Sequence, residues 1–330
     1  MILIRGNEDI HDATVNLAIE EYCVRTLDTI DNDYLLFYIN NPSIIIGKHQ
    51  NTIEEVNIGY VQEKNIAVVR RISGGGAVYH DRGNLNYSFI TKHTNDSINN
   101  FRKFTQPVTN ALRGMGIEAE LSGRNDITID GKKISGNAQF TNTKSMFSHG
   151  TLLFDSHLGD VAGALNVKAE KIESKGIKSV RSRVTNIKPY LKEEITITEF
   201  RQKIIDSIFH GKVNEYFLNE EDWVKINELT KNKYRTWEWN WGRSPEFNVQ
   251  KVKRFSFGQV DARIFVKEGK IENIKFFGDF FGYGDTSEIE ESLKGVRYDR
   301  QSLSDALTGK DMNIYFGDIN AEEFVNFLYY

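Results

Sequence analysis

The sequence has little cysteine, little proline and no long apolar run. A single cysteine, Cys23, excludes an internal disulfide and a thiolate metal cage, and it indicates a reducing compartment. No apolar run approaches the ~18 residues that a membrane span requires, and residues 1–12 lack the apolar stretch of a secretion signal. We therefore expect a cytoplasmic protein with no membrane segment.

The charge of the chain is nearly balanced. Its 42 Lys and Arg against 46 Asp and Glu give a formal net charge of -4, so no global field attracts nucleic acid or an anionic membrane. Any anionic ligand must therefore be bound by a local group of donors. A length of 330 residues is typical of one large domain plus one small one, and we place their boundary between residues 1–245 and 246–330.

Helix and strand patterns are mixed along the first 210 residues. Apolar residues at helical spacing predict helices over residues 14–27 and about 98–115. Thr196 and Glu199 form a capping box before another helix, which we expect to be the last of the large domain. Strand-like segments occur at residues 35–40, 43–47, 127–129, 133–136 and 149–154, and begin at residues 67, 77 and 85.

The last part of the chain repeats the mixture on a smaller scale. From about Val249 three strand-like segments are followed by two helical ones near residues 286–294 and 320–329. Because helices and strands do not alternate regularly, the predicted fold class is α+β with a mostly antiparallel sheet. Alternating tryptophans before this unit predict a strand packed between the two domains: Trp237, Trp239 and Trp241.

The dipeptide Asp130-Gly131 predicts a β-hairpin over residues 126–135. Two-residue loops of this composition favour a type I′ turn, in which both central residues have positive φ. In that register Ile127 opposes Ile134, and Ile129 shares their apolar face. The opposite, polar face then carries Asp126, Thr128, Lys133 and Ser135.

The densest functional signal is RRISGGGAVYHD at residues 70–81. The glycines from Gly74 to Gly76 let backbone N–H groups approach a bound anion or acyl chain, because no Cβ blocks them. Arg70 and Arg71 supply fork-shaped donors for phosphate or carboxylate. The segment fits neither the Walker motif nor G-x-G-x-x-G, and an ordinary glycine turn with surface arginines remains the alternative.

Lys133 is the second candidate. An ammonium on the polar face of the hairpin could bridge a carboxylate nucleophile and a phosphate while negative charge develops between them. A solvated strand lysine is the alternative, and the neighbouring Lys132 is expected to point the other way.

Other residue groups predict structural roles. A calcium loop starting at Asp126 is rejected because its twelfth position is Asn137 rather than Glu. Cys23 lies in the first predicted helix with no activating His nearby in sequence, so we interpret it as a small core residue. The seven His show no zinc-ligand spacing.

Four separated motifs resemble those of the bacterial lipoate-protein ligase family. They are RRISGGGAVYHDRGNLNYSF, SGRNDITIDGKKISGNA, HGTLLF and KGIKSVRSRVTNI, and NLAIEEY at 16–22 is similar to the family's first helix. The resemblance covers essentially the whole chain. It implies a catalytic domain of the class II aminoacyl-tRNA-synthetase and biotin-ligase type, with a small C-terminal accessory domain.

The resemblance also implies the reaction, its substrates and its partners. Lipoate would be activated by ATP, with Mg²⁺, to lipoyl-AMP, and the lipoyl group would then pass to a lysine of an acceptor. The acceptors implied are lipoyl domains of 2-oxoacid dehydrogenase complexes and the glycine-cleavage H protein, and neither nucleic acid nor a membrane is a partner.

Individual residues acquire roles by the same resemblance. Lys133 would be catalytic, contacting both the lipoate carboxylate and the α-phosphate, and Asp126 would be the metal ligand, with Asn125 also near the phosphates. ATP contacts would come from Arg71, the backbone of Gly76, Ala77, Val78 and Tyr79, Lys133, and the polar side chains of Arg181, Arg183 and Asn186. The lipoate pocket would be lined or closed by Leu17, Glu20, Ser73, Gly74, Gly75, His80, Lys133, Ser135, Gly136, Ala138, His149 and Gly150.

The transfer step needs a neutral amine, and a free lysine with a pKa near ~10.4 is almost wholly protonated at neutral pH. No strong general base is evident beside Lys133 in the sequence. We therefore expect desolvation and the adenylate phosphate to assist deprotonation of the acceptor amine.

Three alternatives to this function remain. An ATP-independent lipoyl or octanoyl transferase would need a nucleophile such as Cys, and Cys23 matches no such position. A biotin ligase would carry G-R-G-R in its glycine loop, which is absent. A noncatalytic lipoate-binding scaffold would not need Arg71, Gly76 and Lys133 together. Lipoate-dependent ATP–pyrophosphate exchange separates an adenylating ligase from the transferase and the scaffold.

Overall fold

The structure, a computed structural model, describes residues 1–165, 184–242 and 248–329. The strands in these ranges are β1 Ile2–Arg5, β2 Tyr34–Tyr38, β3 Ser43–Ile46, β4 Ala67–Arg70, β5 Val78–His80, β6 Asn84–Lys92, β7 Ala119–Ser122, β8 Asp126–Ile129, β9 Lys132–Thr141, β10 Ser145–Leu153, β11 Asn214–Phe217, β12 Val249–Phe255, β13 Gly258–Lys267 and β14 Lys270–Gly278. The helices are α1 Ala13–Thr26, α2 Thr52–Glu55, α3 Ile58–Glu63, α4 Phe101–Gly114, α5 Leu158–Ala164, α6 Ile197–Phe209, α7 Glu220–Leu229, α8 Trp237–Asn240, α9 Ser287–Leu293, α10 Arg300–Ala306, α11 Met312–Tyr315 and α12 Ala321–Tyr329, with a 3-10 turn at Lys188–Tyr190 and a π-helical turn at Thr230–Tyr234.

A large sheet organises most of the chain. In the described ranges its strand order is β11-β1-β2-β6-β10-β9-β8-β7. Strand β1 runs parallel to β11 and β2, whereas the pairs from β2 to β7 are antiparallel. The predicted α+β class with a mostly antiparallel sheet is confirmed.

Both faces of this sheet are buried. On one face, Leu35 and Phe37 of β2 pack in a core with residues of α4 and α6, including Phe104. The alternate residue Leu36 packs on the other face with Leu17 of α1. Strand β2 is therefore an unbroken apolar run because helices cover it from both sides.

A small sheet of order β4-β3-β5 holds the glycine segment. Strand β3 pairs in parallel with β4 and antiparallel with β5, so residues 71–77 connect the two outer strands across one end of β3. A third sheet, β12-β13-β14, is antiparallel and packs on α9 to α12 around its own core.

The polypeptide after α6 differs from the prediction. The capping box of Thr196 and Glu199 is confirmed, but α6 is not the last helix of this unit. Strand β11 pairs with β1, and Ile226 of α7 and Tyr234 lie in the same core as α1. Long-range pairing therefore decides where the unit ends.

The tryptophan segment is a helix, not a strand. Trp237 begins α8 and is 64% exposed. Trp239 donates its Nε1–H to the carbonyl of Arg70 at 2.7 Å and packs on the core around α1. Trp241 packs on the core beneath β3. The expectation that these rings pack between two domains is wrong, because a helical turn sends them to different places.

In the C-terminal unit the three predicted strands and the helices near 286–294 and 320–329 are confirmed. The short helices α10 and α11 were not predicted. Within the described ranges, no helix is both long and apolar enough to cross a bilayer.

Candidate active site

A cavity of about 130 Å³ opens between the glycine segment, α1 and strands β9 and β10. It brings together most of the residues that the sequence singled out: Leu17, Arg71, Gly75, Gly76, Ala77, Val78, His80, Asn125, Lys133, Gly136, Ala138, His149 and Gly150. These come from segments far apart in the chain. The predicted site is therefore one place in the fold.

The hairpin that carries Lys133 has the predicted turn. Asp130 has φ 50° and Gly131 has φ 72°, as a type I′ turn requires. Thr128 pairs with Lys133 as expected, and the three isoleucines of the hairpin are buried in one core. A β-bulge then shifts the register, so that Ile127 pairs with Ser135 instead of Ile134.

The bulge changes which side chain accompanies Lys133. Ser135 is buried on the face of Ile127, where its hydroxyl accepts a hydrogen bond from Asn137 at 3.2 Å. The prediction that Ser135 shares the polar face is wrong, because the extra residue of a bulge reverses the alternation. Gly136, which pairs with Asp126, lies on the polar face where Ser135 was expected.

Lys133 meets an acid at the cavity. Its Nζ lies 2.8 Å from Oδ1 of Asp126, and each side chain is 38% exposed. A Cβ on Gly136 would lie 3.0 Å from Nζ of Lys133, so the glycine leaves space for the ammonium. The carbonyl of Lys133 accepts the N–H of Thr185 at 3.0 Å, which holds the backbone from the side opposite to β8.

Arg71 shapes the glycine segment from within. Its guanidinium donates to the carbonyls of Ile45 at 3.0 Å, Gly74 at 2.7 Å and Gly76 at 2.8 Å. Burial lowers the pKa of Arg71 to about 10, against the opposing influence of Tyr38 and Glu20, so it is a cation at neutral pH. It is therefore a buried loop organiser, and the alternative of a surface arginine is wrong for this residue.

A hydrogen-bonded chain lies behind the cavity. Arg71 Nε donates to Ser73 Oγ at 3.0 Å, Ser73 Oγ lies 2.9 Å from His149 Nε2, and His149 Nδ1 lies 3.0 Å from the carboxylate of Glu20. Because Arg71 only donates, the Ser73 hydroxyl is free to donate to His149 and leaves Nδ1–H for Glu20. Ser73 and Glu20, each 1% exposed, support the lining without forming part of it.

His80 is held as a neutral imidazole. Asn16 donates to Oδ1 of Asn40 at 2.9 Å, so the Asn40 amide nitrogen faces Nδ1 of His80 at 3.0 Å. Nδ1 must accept, which puts the hydrogen on Nε2. Burial, and then the positive charge of Arg71, lower the pKa of His80 to about 3.

The C-terminal unit closes one side of the cavity. Phe281 is part of the lining, and the guanidinium of Arg124 lies 4.3 Å from the centre of its ring. A Cβ on Gly74 would lie 2.4 Å from the Phe280 carbonyl. Gly74 therefore permits the close approach of this unit instead of lining the cavity.

The remaining predicted ATP residues are placed unequally. Tyr79 turns its side chain away from the cavity and its hydroxyl lies 3.3 Å from Asp160, so only its backbone stays a candidate. Asn186 uses both ends of its amide on the backbone of Ser156. Arg181 and Arg183 lie outside the described residues.

Within the described ranges, the cavity carries neither a metal-binding cluster nor a cysteine nucleophile. Among the residues that the structure describes, no cluster of three or more His, Cys, Asp and Glu could hold a metal ion. Cys23 is 0% exposed, burial raises the pKa of its thiol, and it does not line the cavity. The interpretation of Cys23 as a core residue is confirmed.

Sequence reasoning missed six lining residues. Tyr38 and Asn86 lie on strands that were predicted, and their alternation with core residues was the signal available. Phe281 had no such signal, because its approach depends on packing of the C-terminal unit. The six are Tyr38, Ile45, Asn86, Asn137, Thr151 and Phe281.

Family models match both units of the chain. One, described as the lipoyl protein ligase A/B catalytic domain, matches residues 12–209. Another, described as the bacterial lipoate protein ligase C-terminus, matches residues 244–328. The chain belongs to the lipoate-protein ligase family. The first match contains Leu17, the glycine segment and Lys133.

Individual relatives and solved structures belong to the same family as these models. This ligase is 56% identical to a lipoate-protein ligase of Bacillus subtilis over 332 residues, 99% of this chain and 100% of the relative. Among solved structures it is similar to a bipartite lipoate protein ligase, studied with its E2 lipoyl domain, from Thermoplasma acidophilum (TM-score 0.66, 32% identity, 75% of this chain and 98% of the other). It is also similar to a lipoate-protein ligase A bound with ATP (TM-score 0.62, 30% identity, 73% of this chain and 97% of the other).

These findings confirm the predicted family, fold and enzyme class. The ligase has the fold of the lipoate-protein ligase catalytic domain, followed by a C-terminal α+β unit. Its activity is the ATP-dependent attachment of lipoate to protein.

Proposed function

We propose that the cavity joins lipoate to AMP and that Lys133 holds the two anions together. The observation that carries this proposal is the position of Lys133, which lines the cavity next to Gly136 with its side chain 38% exposed and its ammonium in contact with Asp126. Lipoate would lie along Leu17, Ala138 and Gly150, with its carboxylate toward Lys133.

The first step exchanges the bond between the α-phosphorus and pyrophosphate for a bond between the α-phosphorus and the lipoate carboxylate. A lipoate carboxylate oxygen attacks the α-phosphorus of ATP, the bond from that phosphorus to the bridging oxygen breaks, and pyrophosphate leaves with the electron pair. Two anions roughly 4 Å apart repel by about 4 kcal/mol at an effective dielectric constant of about 20. The Lys133 ammonium offsets that repulsion and follows the charge that develops.

The glycine segment supplies the rigid part of the site. Arg71 fixes the carbonyls of Gly74 and Gly76, which leaves the N–H groups of Gly76 to Val78 as candidates for nucleotide contact. Arg181 and Arg183 complete the proposed ATP contacts on the basis of the family motif.

The second step forms an amide. A neutral acceptor amine attacks the carbonyl carbon of lipoyl-AMP, the C–N bond forms, the C–O bond to the phosphate breaks, and AMP leaves. The amine nitrogen gives up its extra proton to solvent. Lys133 remains beside the carbonyl and phosphate oxygens throughout.

Magnesium fits this site only as an ion carried with ATP. Mg²⁺ is commonly bound by one or two carboxylates plus substrate phosphates, and Asp126 is the carboxylate that contacts Lys133, although it does not itself line the cavity. Asp126 would hold the ion, which would neutralise phosphate charge when bound. Its present partner is Lys133, so binding of the ion would require Asp126 to leave that ammonium.

The acceptors we propose are lipoyl domains of 2-oxoacid dehydrogenase complexes and the glycine-cleavage H protein. The studied pairing of a similar ligase with an E2 lipoyl domain supports the first class. We also propose a domain boundary between residues 1–245 and 246–330, which the family matches to 12–209 and 244–328 support, and cytoplasmic residence, which the single cysteine favours.

Two assays test the proposal. Lipoate-dependent exchange of labelled pyrophosphate into ATP should occur without an acceptor, and addition of an apo lipoyl domain should then consume one lipoate per domain. A domain with its target lysine replaced by methionine is the control for transfer. Lipoylation without any exchange activity would contradict an adenylate intermediate and favour a direct transferase.

A further inference from the structure

A short segment, Val184 to Lys188, connects Lys133 to the end of β10. On one side Val184 forms a parallel bridge with Lys133, and the N–H of Thr185 donates to the Lys133 carbonyl at 3.0 Å. On the other side the N–H of Ile187 donates to the Leu153 carbonyl at 2.7 Å, and the N–H of Lys188 donates to the Phe154 carbonyl at 3.0 Å. The segment is therefore held by backbone contacts at both of its ends.

Asn186 closes the middle of this segment with its side chain. Its Nδ2 donates to the Ser156 carbonyl at 2.9 Å, and its Oδ1 accepts the Ser156 N–H at 3.0 Å. The amide thus satisfies both backbone groups of a residue that is 5% exposed. Loss of the amide would leave the Ser156 N–H without this partner, whereas the Ser156 carbonyl would keep the N–H of Leu158 at 3.0 Å.

Asn186 directly follows Thr185, so its contact with Ser156 affects the backbone that supports Lys133. Thr185, the preceding residue, donates directly to Lys133, so the clamp on Ser156 and the support of Lys133 are one residue apart. The Lys133 backbone is consequently fixed from two directions, by Thr128 of β8 on one side and by Val184 and Thr185 on the other. Catalytic groups function when their backbone is held within a fraction of an ångström.

We propose that Asn186 is a positioning residue for Lys133. It acts through the backbone of Thr185. The family motif had implied that Asn186 contacts the nucleotide, and the proposed positioning role replaces that expectation. This inference rests on the proposed role of Lys133.

The test compares Asn186→Ala with a matched control, Asn142→Ala. Asn142 also bonds two backbone groups through its side chain, accepting the N–H of Lys144 at 3.2 Å and of Ser145 at 2.9 Å, in the turn between β9 and β10. Asn186→Ala should lower kcat for ATP–pyrophosphate exchange at least tenfold with KM for lipoate within twofold. Asn142→Ala should leave both values near those of the wild type.

A second measurement separates positioning from general loosening. Hydrogen exchange of the Thr185 amide should become at least tenfold faster in Asn186→Ala and stay unchanged in Asn142→Ala. Asn186→Asp keeps the bond from the Ser156 N–H and should lie between wild type and Asn186→Ala in kcat, so the proposal can be tested even if the alanine variant folds poorly.

The outcomes are distinct. A wild-type kcat in Asn186→Ala and Asn186→Asp, or a raised KM with unchanged kcat, would overturn the positioning role whatever Lys133 does. Full exchange activity in Lys133→Ala would instead overturn the proposed function of Lys133. A lower kcat together with faster exchange at Thr185 supports the inference.

Discussion

Nζ of Lys133 and Oδ1 of Asp126 lie 2.8 Å apart on the polar face of the β8–β9 hairpin, and both side chains are 38% exposed. An ion pair that is this exposed contributes about 0–1 kcal/mol to stability. Either partner can therefore be exchanged for a substrate group at little cost. A lysine that must turn toward a carboxylate and a phosphate needs such a weakly held partner.

Replacing Lys133 by alanine should abolish adenylation without unfolding the protein. The ammonium is the cavity group that we expect to face both reacting anions, and removing such a stabilising group typically lowers kcat by about 10²- to 10³-fold. The side chain is half-exposed, so its truncation should change the free energy of unfolding by less than about 1 kcal/mol.

Pyrophosphate exchange and urea unfolding of Lys133→Ala check these two statements. Lipoate binding, measured by calorimetry without ATP, should weaken less than exchange does, because Leu17 and the other apolar lining residues remain. Lipoyl-AMP formation at the wild-type rate would remove Lys133 from the mechanism.

Replacing Asp126 by asparagine tests the origin of proton removal in the transfer step. A side-chain carboxylate is in general a far weaker base than a lysine amine, so it accepts a proton from an ammonium poorly. We expect desolvation of the acceptor lysine to govern deprotonation, so Asp126→Asn should keep the wild-type pH profile for transfer from preformed lipoyl-AMP.

The measurement is single-turnover transfer to an apo lipoyl domain between about pH 6 and pH 9, a range centred near the usual operating pH of general bases. A profile that loses an acidic limb in Asp126→Asn would show that this carboxylate takes part in proton transfer, and our expectation would then be wrong.

Replacing Gly136 by alanine should crowd the ammonium. The added Cβ would lie 3.0 Å from Nζ and 3.2 Å from Cε of Lys133, and the flexible end of the lysine would move aside. We expect pyrophosphate exchange to fall at least tenfold while stability changes by less than about 1 kcal/mol. Gly114→Ala, where the new Cβ meets nothing within 4 Å, is the matched control and should be fully active.

Lowering the pH should destabilise the protein through His80. Its folded pKa is about 3 because burial disfavours the charged form, whereas the unfolded value is about 6.5. Below the unfolded value the unfolded chain binds a proton that the folded chain does not, so stability is present above that pH and is lost as the pH falls toward 3.

Urea unfolding at pH 7 and pH 5 measures this contribution. From pH 7 to pH 5 the free energy of unfolding of the wild type should fall by about 2 kcal/mol more than that of His80→Gln, which lacks the titrating group. An equal loss in both proteins would show that His80 titrates similarly in the folded and unfolded states.

The glycine segment and the hairpin show how much of the site could be predicted. The Asp130-Gly131 turn and the face of Ile127 and Ile129 follow from local rules of φ and alternation, and both are confirmed. The position of Ser135 does not follow, since a bulge inserts one residue without a sequence signal of its own. Gly136 gained its place beside Lys133 by that single shift.

The sequence by itself determined the local geometry of this ligase: the positive-φ turn, the open glycine backbone and the helix capped by Thr196 and Glu199 are consequences of residue types a few positions apart. The tertiary structure alone decided which side chains meet. His149 reaches Glu20 across 129 positions, Arg71 is enclosed by loop carbonyls, and Phe281 reaches the cavity from the C-terminal unit. Such contacts depend on how sheets and helices pack, and packing is a property of the whole chain.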